Sequence, residues 1–154
     1  MNAGAQGGSA QEVGALQAAL AAEQAAIYGY GVVGSHLTGE PALAATADWT
    51  AHQVTADKLE TELRARGATP AQSAVAYRLP HRVSTAAQAT ALAVTLEDEV
   101  ASAYLGLVGL TDLTLRMLGA RQVRTAALRA ASWRGHTVTF PGLPATPAGS
   151  AKHP

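Results

Sequence analysis

The sequence predicts an all-α protein, a four-helix bundle with one long crossover between helices 2 and 3. Three observations carry this. First, 36 of the 154 residues are alanine, the strongest helix former. Second, apolar residues recur at alternating spacings of four and three, with no period-two alternation of the kind a strand would show. Third, glycines, prolines and capping residues cut the chain into four periodic stretches. Two of the intervening connections are short, and one, residues 67–83, is long. With 48% apolar residues, a chain of this size buries roughly 70% of its unfolded surface and needs no covalent staple. The absence of cysteine excludes a disulfide scaffold, a zinc finger, an iron–sulfur site and a thiol nucleophile.

Residues 1–9 are glycine-rich and are expected to form a flexible N-terminus, without the basic-then-apolar order of a signal peptide. Helix 1 starts at Ser9-Ala10-Gln11-Glu12, which fits a capping box, and its apolar pattern runs to Leu37. Thr38-Gly39-Glu40-Pro41 ends that pattern and opens helix 2, with Pro41 suited to a first helical turn. Helix 2 reaches Arg66, and Gly67 stops it behind two arginines. Pro70, Tyr77, Leu79, Pro80 and His81 then mark an ordered, extended connection. Thr85-Ala86-Ala87-Gln88 is a second capping box, starting a helix 3 that continues to about Leu110. Thr111-Asp112 breaks the pattern and caps helix 4, which ends at Trp133-Arg134-Gly135. The bundle thus covers residues 10–135. The proline-rich tail, 136–154, is irregular, with Phe140 as the expected anchor onto the bundle.

Helices of about 22 to 28 residues span roughly 33–42 Å. The long link can reach about 56 Å, enough to return along the whole bundle. Helices 2 and 3 are therefore parallel, while pairs 1–2 and 3–4 are antiparallel hairpins.

The apolar stripes carry misplaced polar residues. Helix 1 reads Leu16, Leu20, Glu23, Ile27, Tyr30, Gly34, Leu37, which puts Glu23 among the inner positions. Helix 2 reads Ala45, Trp49, His52, Ala56, Leu59, Leu63, which puts His52 inside. On helix 3, Leu92, Leu96, Val100, Ala103, Leu107 and Leu110 form the inner side. Glu97 and Glu99 flank it on opposite edges, and spacing alone does not choose between them. A carboxylate in a core must be paired, hydrogen-bonded or metal-bound. One imidazole and two carboxylates on three helices suit iron or manganese more than copper. Pairing of Glu23 with His52, or with an arginine of helix 4, satisfies the same requirement without a metal.

Several stretches resemble ferritin-like proteins, and more closely an actinobacterial ferritin-like domain family of unknown function. They are Ala19 to Gly31 (ALAAEQAAIYGYG), the lone His52 of helix 2, Ala76-Tyr77-Arg78-Leu79-Pro80, Leu96-Glu97, and Trp133-Arg134-Gly135 followed by Phe140-Pro141-Gly142. Together they span most of residues 10–143, and their order and spacing carry the resemblance more than any single motif. It implies the ferritin-like fold and favours Glu97 over Glu99, and it implies no established activity. Di-iron members take a glutamate from each of two helices and a Glu-x-x-His pair from each of the other two. Glu23 and Glu97 match the single glutamates, and His52 matches one histidine. Trp49 stands where its glutamate would be, and helix 4 has no Asp, Glu or His between Leu113 and Gly135. Three of the six ligands remain, which argues against an oxygen-activating di-iron centre and leaves room for a single ion at Glu23, His52 and Glu97.

Other signals are weaker. Gly29-Tyr30-Gly31-Val32-Val33-Gly34 matches a dinucleotide fingerprint, but it follows a helix rather than a strand, so close helix approach or a kink explains the glycines. Tyr28, Tyr30 and Tyr104 are read as core residues with a hydroxyl handle, and Trp49 and Trp133 as packing. His36, His81, His136 and His153 are read as surface or loop residues. No apolar run is long enough to span a membrane, a cytoplasmic location follows, and the neutral balance argues against general nucleic-acid binding.

That neutrality hides a partition. Residues 1–112 hold all eleven acids and a surplus of six negative charges, and residues 113–154 hold six basic residues and no acid. The helix 4 arginines, at 116, 121, 124, 129 and 134, spread around the helix and suit pairing with acids of helices 2 and 3. Arg116 is the one that could instead turn inward to Glu23 or Glu97. The resulting expectation is a non-enzymatic binding or interaction module with a degenerate metal site, self-associating as a homo-oligomer, in the first place a dimer. An iron- or manganese-binding protein using Glu23, His52 and Glu97 for storage or redox chemistry is the alternative. RNA or phosphate binding by the helix 4 arginines is a third.

Overall fold

The computed structural model describes residues 3–137 and 140–143. Four helices succeed one another: α1 (Ala3–Ser35), α2 (Gly39–Ala65), α3 (Ala86–Val108) and α4 (Leu113–Arg134), with no strand among the described residues. Their ends show the chemistry that the sequence carries. Thr85 accepts the backbone N–H of Gln88 at 3.2 Å, while the Gln88 side chain reaches back to the Ser84 N–H at 2.9 Å. Asp112 caps α4 by accepting the Leu115 N–H at 2.8 Å. Gly67 and Gly135, just past α2 and α4, adopt positive φ, the left-handed conformation in which a Cβ would be strained. The start of α1 differs from expectation. No proline interrupts the chain from Ala3, and the helix runs through Ser9 and Glu12 instead of beginning there.

Contacts between helices give their directions. Glu12 pairs with Arg66, Glu23 with His52, and Tyr30 with Asp48, so α1 and α2 run antiparallel. Gly106 lies beside Ala15, Tyr104 bonds Glu23, and Tyr30 bonds Glu97, so α1 and α3 are also antiparallel. Helices α2 and α3 are therefore parallel, as the long link requires. The crossover lies along α1 and is pinned to it. Gln17 donates to the Thr69 carbonyl at 2.7 Å and accepts the Ala71 N–H at 2.9 Å. Gln24 donates to the Ala71 carbonyl at 2.9 Å, and the Tyr28 and Tyr77 rings meet at 5.6 Å. An extended segment has no internal ladder, so these glutamines take up backbone groups of the link and tie it to α1.

The core is built from leucines set among alanines: Ala19, Ala26, Ala45, Ala89, Ala93 and Ala126 are all buried. Small side chains let the helices approach closely. At the crossing of α3 and α4, Gly119 faces Leu107 and the backbone of Tyr104 and Val108; a Cβ there would sit 2.8–2.9 Å from these atoms. Within the glycine-rich run of α1, Gly29 admits the Leu96 side chain, which accounts for one of the three glycines as a site of close approach. The tail corrects a second expectation. Phe140 is 69% exposed and anchors nothing; it is Gly142, with φ +79° and no Cβ, that brings the tail backbone onto Ala101 and Ser102 of α3. His153 lies outside the described residues.

Gly119→Ala should destabilise the bundle by about 1–3 kcal/mol despite its better helix propensity, because the obstructing atoms include rigid backbone. Gly31→Ala, with open space at its Cβ position, should instead gain up to about 1 kcal/mol. Urea denaturation of the two variants checks both signs.

Candidate functional site

Glu23, His52 and Glu97 come together at the centre of the bundle, each on a different helix and each essentially inaccessible to water. The reason is register. Glu23 follows Leu16, Ala19 and Leu20 on the buried stripe of α1. His52 stands in line with Ala45, Ala56, Leu59 and Leu63 on α2. Glu97 sits beside Leu96 and Val100 on α3. Glu99, on the other edge of α3, is exposed, which decides between the two glutamates.

The imidazole is held between the two carboxylates. His52 Nδ1 lies 2.6 Å from Glu23 Oε2, and Nε2 lies 3.0 Å from Glu97 Oε1. A carboxylate oxygen accepts and does not donate, so bonds at both nitrogens need two N–H groups, and the ring is an imidazolium. Burial alone would depress the His52 pKa. The hydrogen bonds and charges of Glu23 and Glu97 outweigh that effect and push it up to about 9, from an ordinary 6.5. The Tyr30 ring lies over the imidazolium with centroids 5.2 Å apart and planes 30° from parallel, within reach of a cation–π attraction.

The second donor to each carboxylate is a tyrosine. Tyr104 donates to Glu23 Oε1 at 2.7 Å and Tyr30 donates to Glu97 Oε1 at 2.7 Å. Burial first, then the adjacent carboxylate, raises both phenol pKa values, so both remain proton donors. Asp48 continues the chain outward: its Oδ2 accepts the Trp133 indole N–H at 2.9 Å and lies 3.3 Å from the Tyr30 hydroxyl, and its Oδ1 lies 3.1 Å from Arg129 Nε. One buried side-chain oxygen among the described residues, Glu97 Oε2, has no partner.

Helix α4 thus enters the site through Trp133 and Arg129. Arg116 is exposed and does not turn inward, whereas Arg129 and Arg134 pair with Asp48 and Asp98 of α2 and α3. Trp133 packs against Tyr30, with ring centroids 6.3 Å apart. Trp49 does not fill an inner position: at 36% exposure it sits at the rim, and Asp48 is the α2 residue drawn into the network beside His52. The physical reason is that the edge of α2 facing α4 meets two donors, which a carboxylate satisfies and an indole cannot. Asp48 was legible as the residue one helical turn before His52 on the same face. Its importance depends on Trp133 and Arg129, which are remote in sequence.

Both imidazole nitrogens are taken by carboxylates, and among the described residues no group of three or more His, Asp or Glu side chains is disposed to hold an ion. A di-iron set does not fit, since α4 offers alanines, a tryptophan and an arginine where two further ligands would stand.

A family model described as a domain of unknown function (DUF4439) matches residues 15–145. The chain belongs to this family. A crystal structure of a conserved hypothetical protein, rv2844, from Mycobacterium tuberculosis is similar to it, with 31% identity, a TM-score of 0.79, and coverage of 82% of this chain and 96% of that one. No curated protein matches. The DUF4439 match encloses all four helices from Ala15 onward, and with them Glu23, Asp48, His52, Glu97 and Trp133.

The raised His52 pKa fixes a pH dependence. Between 6.5 and about 9 the folded protein holds a proton that the unfolded chain has released, so stability falls as pH rises through that window. The contribution is fully present below pH 6.5 and lost above about 9, with a slope of roughly 1 kcal/mol per pH unit. Urea midpoints measured from pH 6 to 10 should show this slope, and His52→Leu should abolish it. Glu23→Leu, which leaves His52 buried with half its partners, should cost about 3–5 kcal/mol.

Proposed function

We propose that this is a ferritin-like bundle in which an imidazolium has taken the place of a metal cation, and that the protein works as a non-enzymatic binding module. The observation that carries this reading is the bridging His52: a single positive ring, bonded at both nitrogens, sits between the two carboxylates that ferritin-like resemblance marks as ligands. Such a clasp holds α1, α2 and α3 in register and offers no open coordination position and no route for a reactant to the centre. The protein's working parts are then its surfaces. No helix among the described residues is long and apolar enough to cross a membrane.

A second reading rests on one specific atom. Glu97 Oε2 is buried without a partner, and an orphaned carboxylate oxygen is a place where a cation gains. In that reading Glu23, His52 and Glu97 hold a single iron or manganese ion, with the imidazole deprotonated to ligate, for storage or simple redox chemistry. The donor set of one nitrogen and hard oxygens fits those metals.

Elemental analysis of protein purified without chelator from iron- and manganese-supplemented cells separates the two. Substoichiometric metal that is unchanged in His52→Ala supports the clasp. Stoichiometric iron or manganese that is lost in His52→Ala overturns it in favour of the second reading.

A further inference from the structure

The two seams of α4 differ. Against α3 the helix packs along its length, from Gly119 at Leu107 to Arg134 at Asp98. Against α2 its polar contacts among the described residues converge on Asp48, which meets Arg129 and Trp133. Beside that contact lies a groove of about 740 Å³. Its walls are small or apolar, with Pro41, Ala44 and Ala47 on α2 and Leu128 and Trp133 on α4. Leu128 lines it while remaining 59% exposed. That volume and lining fall in the range that takes a small organic ligand.

The polar groups of the groove decide what it holds. Asp48 is spent: its Oδ2 accepts the Trp133 indole N–H and lies beside the Tyr30 hydroxyl, and its Oδ1 faces Arg129 Nε. Arg129 is engaged through Nε alone. Its two Nη groups, and the hydroxyls of Thr90 and Ser132 in the same groove, make no hydrogen bond among the described residues. They are not sealed in the core either, where Glu97 Oε2 is the unpartnered side-chain atom among the described residues. The groove therefore offers free donors, chief among them a guanidinium edge. Such an edge meets a carboxylate with two parallel, charge-assisted bonds. The remaining lining charge, Glu40, stands in the first turn of α2, where the helix dipole offsets it. It precedes Asp48 by eight residues, about 12 Å along the helix.

We propose that this groove binds a monocarboxylate with an apolar body about 12 Å long, its head on the Nη edge of Arg129 and its body along Ala47, Ala44 and Pro41, against Leu128 and Trp133. This rests on the reading of the protein as a binding module and supplies its ligand class. The head does not compete with Asp48, which holds Nε while the ligand takes the other edge. The lining selects against the alternatives. An ammonium head meets like charge at Arg129. A neutral head leaves the guanidinium edge without an anion. A dianionic phosphate brings a second negative charge beside Asp48, and a second carboxylate at the far end meets Glu40.

The test is a fluorescence titration of the full chain carrying Trp49→Phe, which leaves Trp133 as the sole indole. Trp133 is a wall of the groove and Trp49 is outside its lining. The probe is decanoate, kept below its micelle concentration. It should shift the Trp133 emission saturably and bind one molecule per chain by equilibrium dialysis. Decanol should bind about tenfold more weakly, because it forgoes a hydrogen-bonded ion pair, and decanedioate several-fold more weakly. Arg129→Gln should bring decanoate down to decanol, and Glu40→Gln should bring decanedioate up towards decanoate. Ala44→Phe, at an exposed helix position that the core does not depend on, should remove binding of all three. Absence of saturable binding, decanol or decanedioate as tight as decanoate, or binding that survives Ala44→Phe each overturns the proposal. Metal content is a separate measurement, so a chain that ignores carboxylates overturns this site and leaves the His52 clasp standing.

Discussion

Everything at the centre of this bundle follows from the cost of placing two carboxylates where water cannot reach them. A buried carboxylate without compensation costs far more than a small domain's net stability. Here the compensation is one imidazolium, shared. Glu23 and Glu97 each receive one N–H from His52 and one O–H from a tyrosine. The geometry is demanding, because a ring offers two N–H groups on opposite sides and its partners must lie on two different helices. Satisfying it sets the rotation of α1, α2 and α3 about their axes and their relative heights. A leucine core tolerates slippage by a methyl group, whereas a bonded ion triad does not.

The alanines make that geometry reachable. An imidazole spanning two glutamates from neighbouring helices needs those helices close, and the alanines and Gly119 permit the approach. The crossover contributes from outside: by lying along α1 with its backbone bonded to Gln17 and Gln24, it occupies the face of α1 next to the stripe of Leu20 and Glu23 and connects two parallel helices.

Most of the fold was legible in the sequence, because helix periodicity and capping are local properties. Thr85, Asp112, Gly67 and Gly135 end their helices as their chemistry dictates, and the length of the 67–83 link alone implied parallel α2 and α3. Site residues Glu23 and His52 were legible as polar breaks in apolar stripes. Glu97 needed a resemblance to separate it from Glu99, since a 3.6-residue period places both at the edges of the same face. What escaped were features decided by distant partners. Asp48 matters only because Trp133 and Arg129 arrive from α4. Trp49 is pushed to the rim for the same reason. Phe140 looked like an anchor because large apolar residues usually are, but a tail can also be docked by the absence of a side chain, as at Gly142. The start of α1 was misplaced because a capping sequence caps only where the chain in front of it is not already helical.

The composition connects the core to the surface. A helix that contributed metal ligands would need carboxylates or histidines on its inner face, and α4 has neither. Its inner face carries Leu115, Gly119, Ala126 and Ala130, and its link to the site is the indole of Trp133 and the guanidinium of Arg129. Both are donors, and both are directed at Asp48, an acceptor. The sign of α4 is therefore opposite to that of a metal-binding helix: it brings positive charge and N–H groups to Asp48, where a ligand helix would bring lone pairs. The positive charge that remains on its outer side has no acid on its own helix to meet. An acid-free helix against an acidic three-helix layer is thus one property with two consequences. Inward, it withholds the Glu-x-x-His pair that a di-iron set would take from it; outward, it leaves a basic, apolar face on its exposed side.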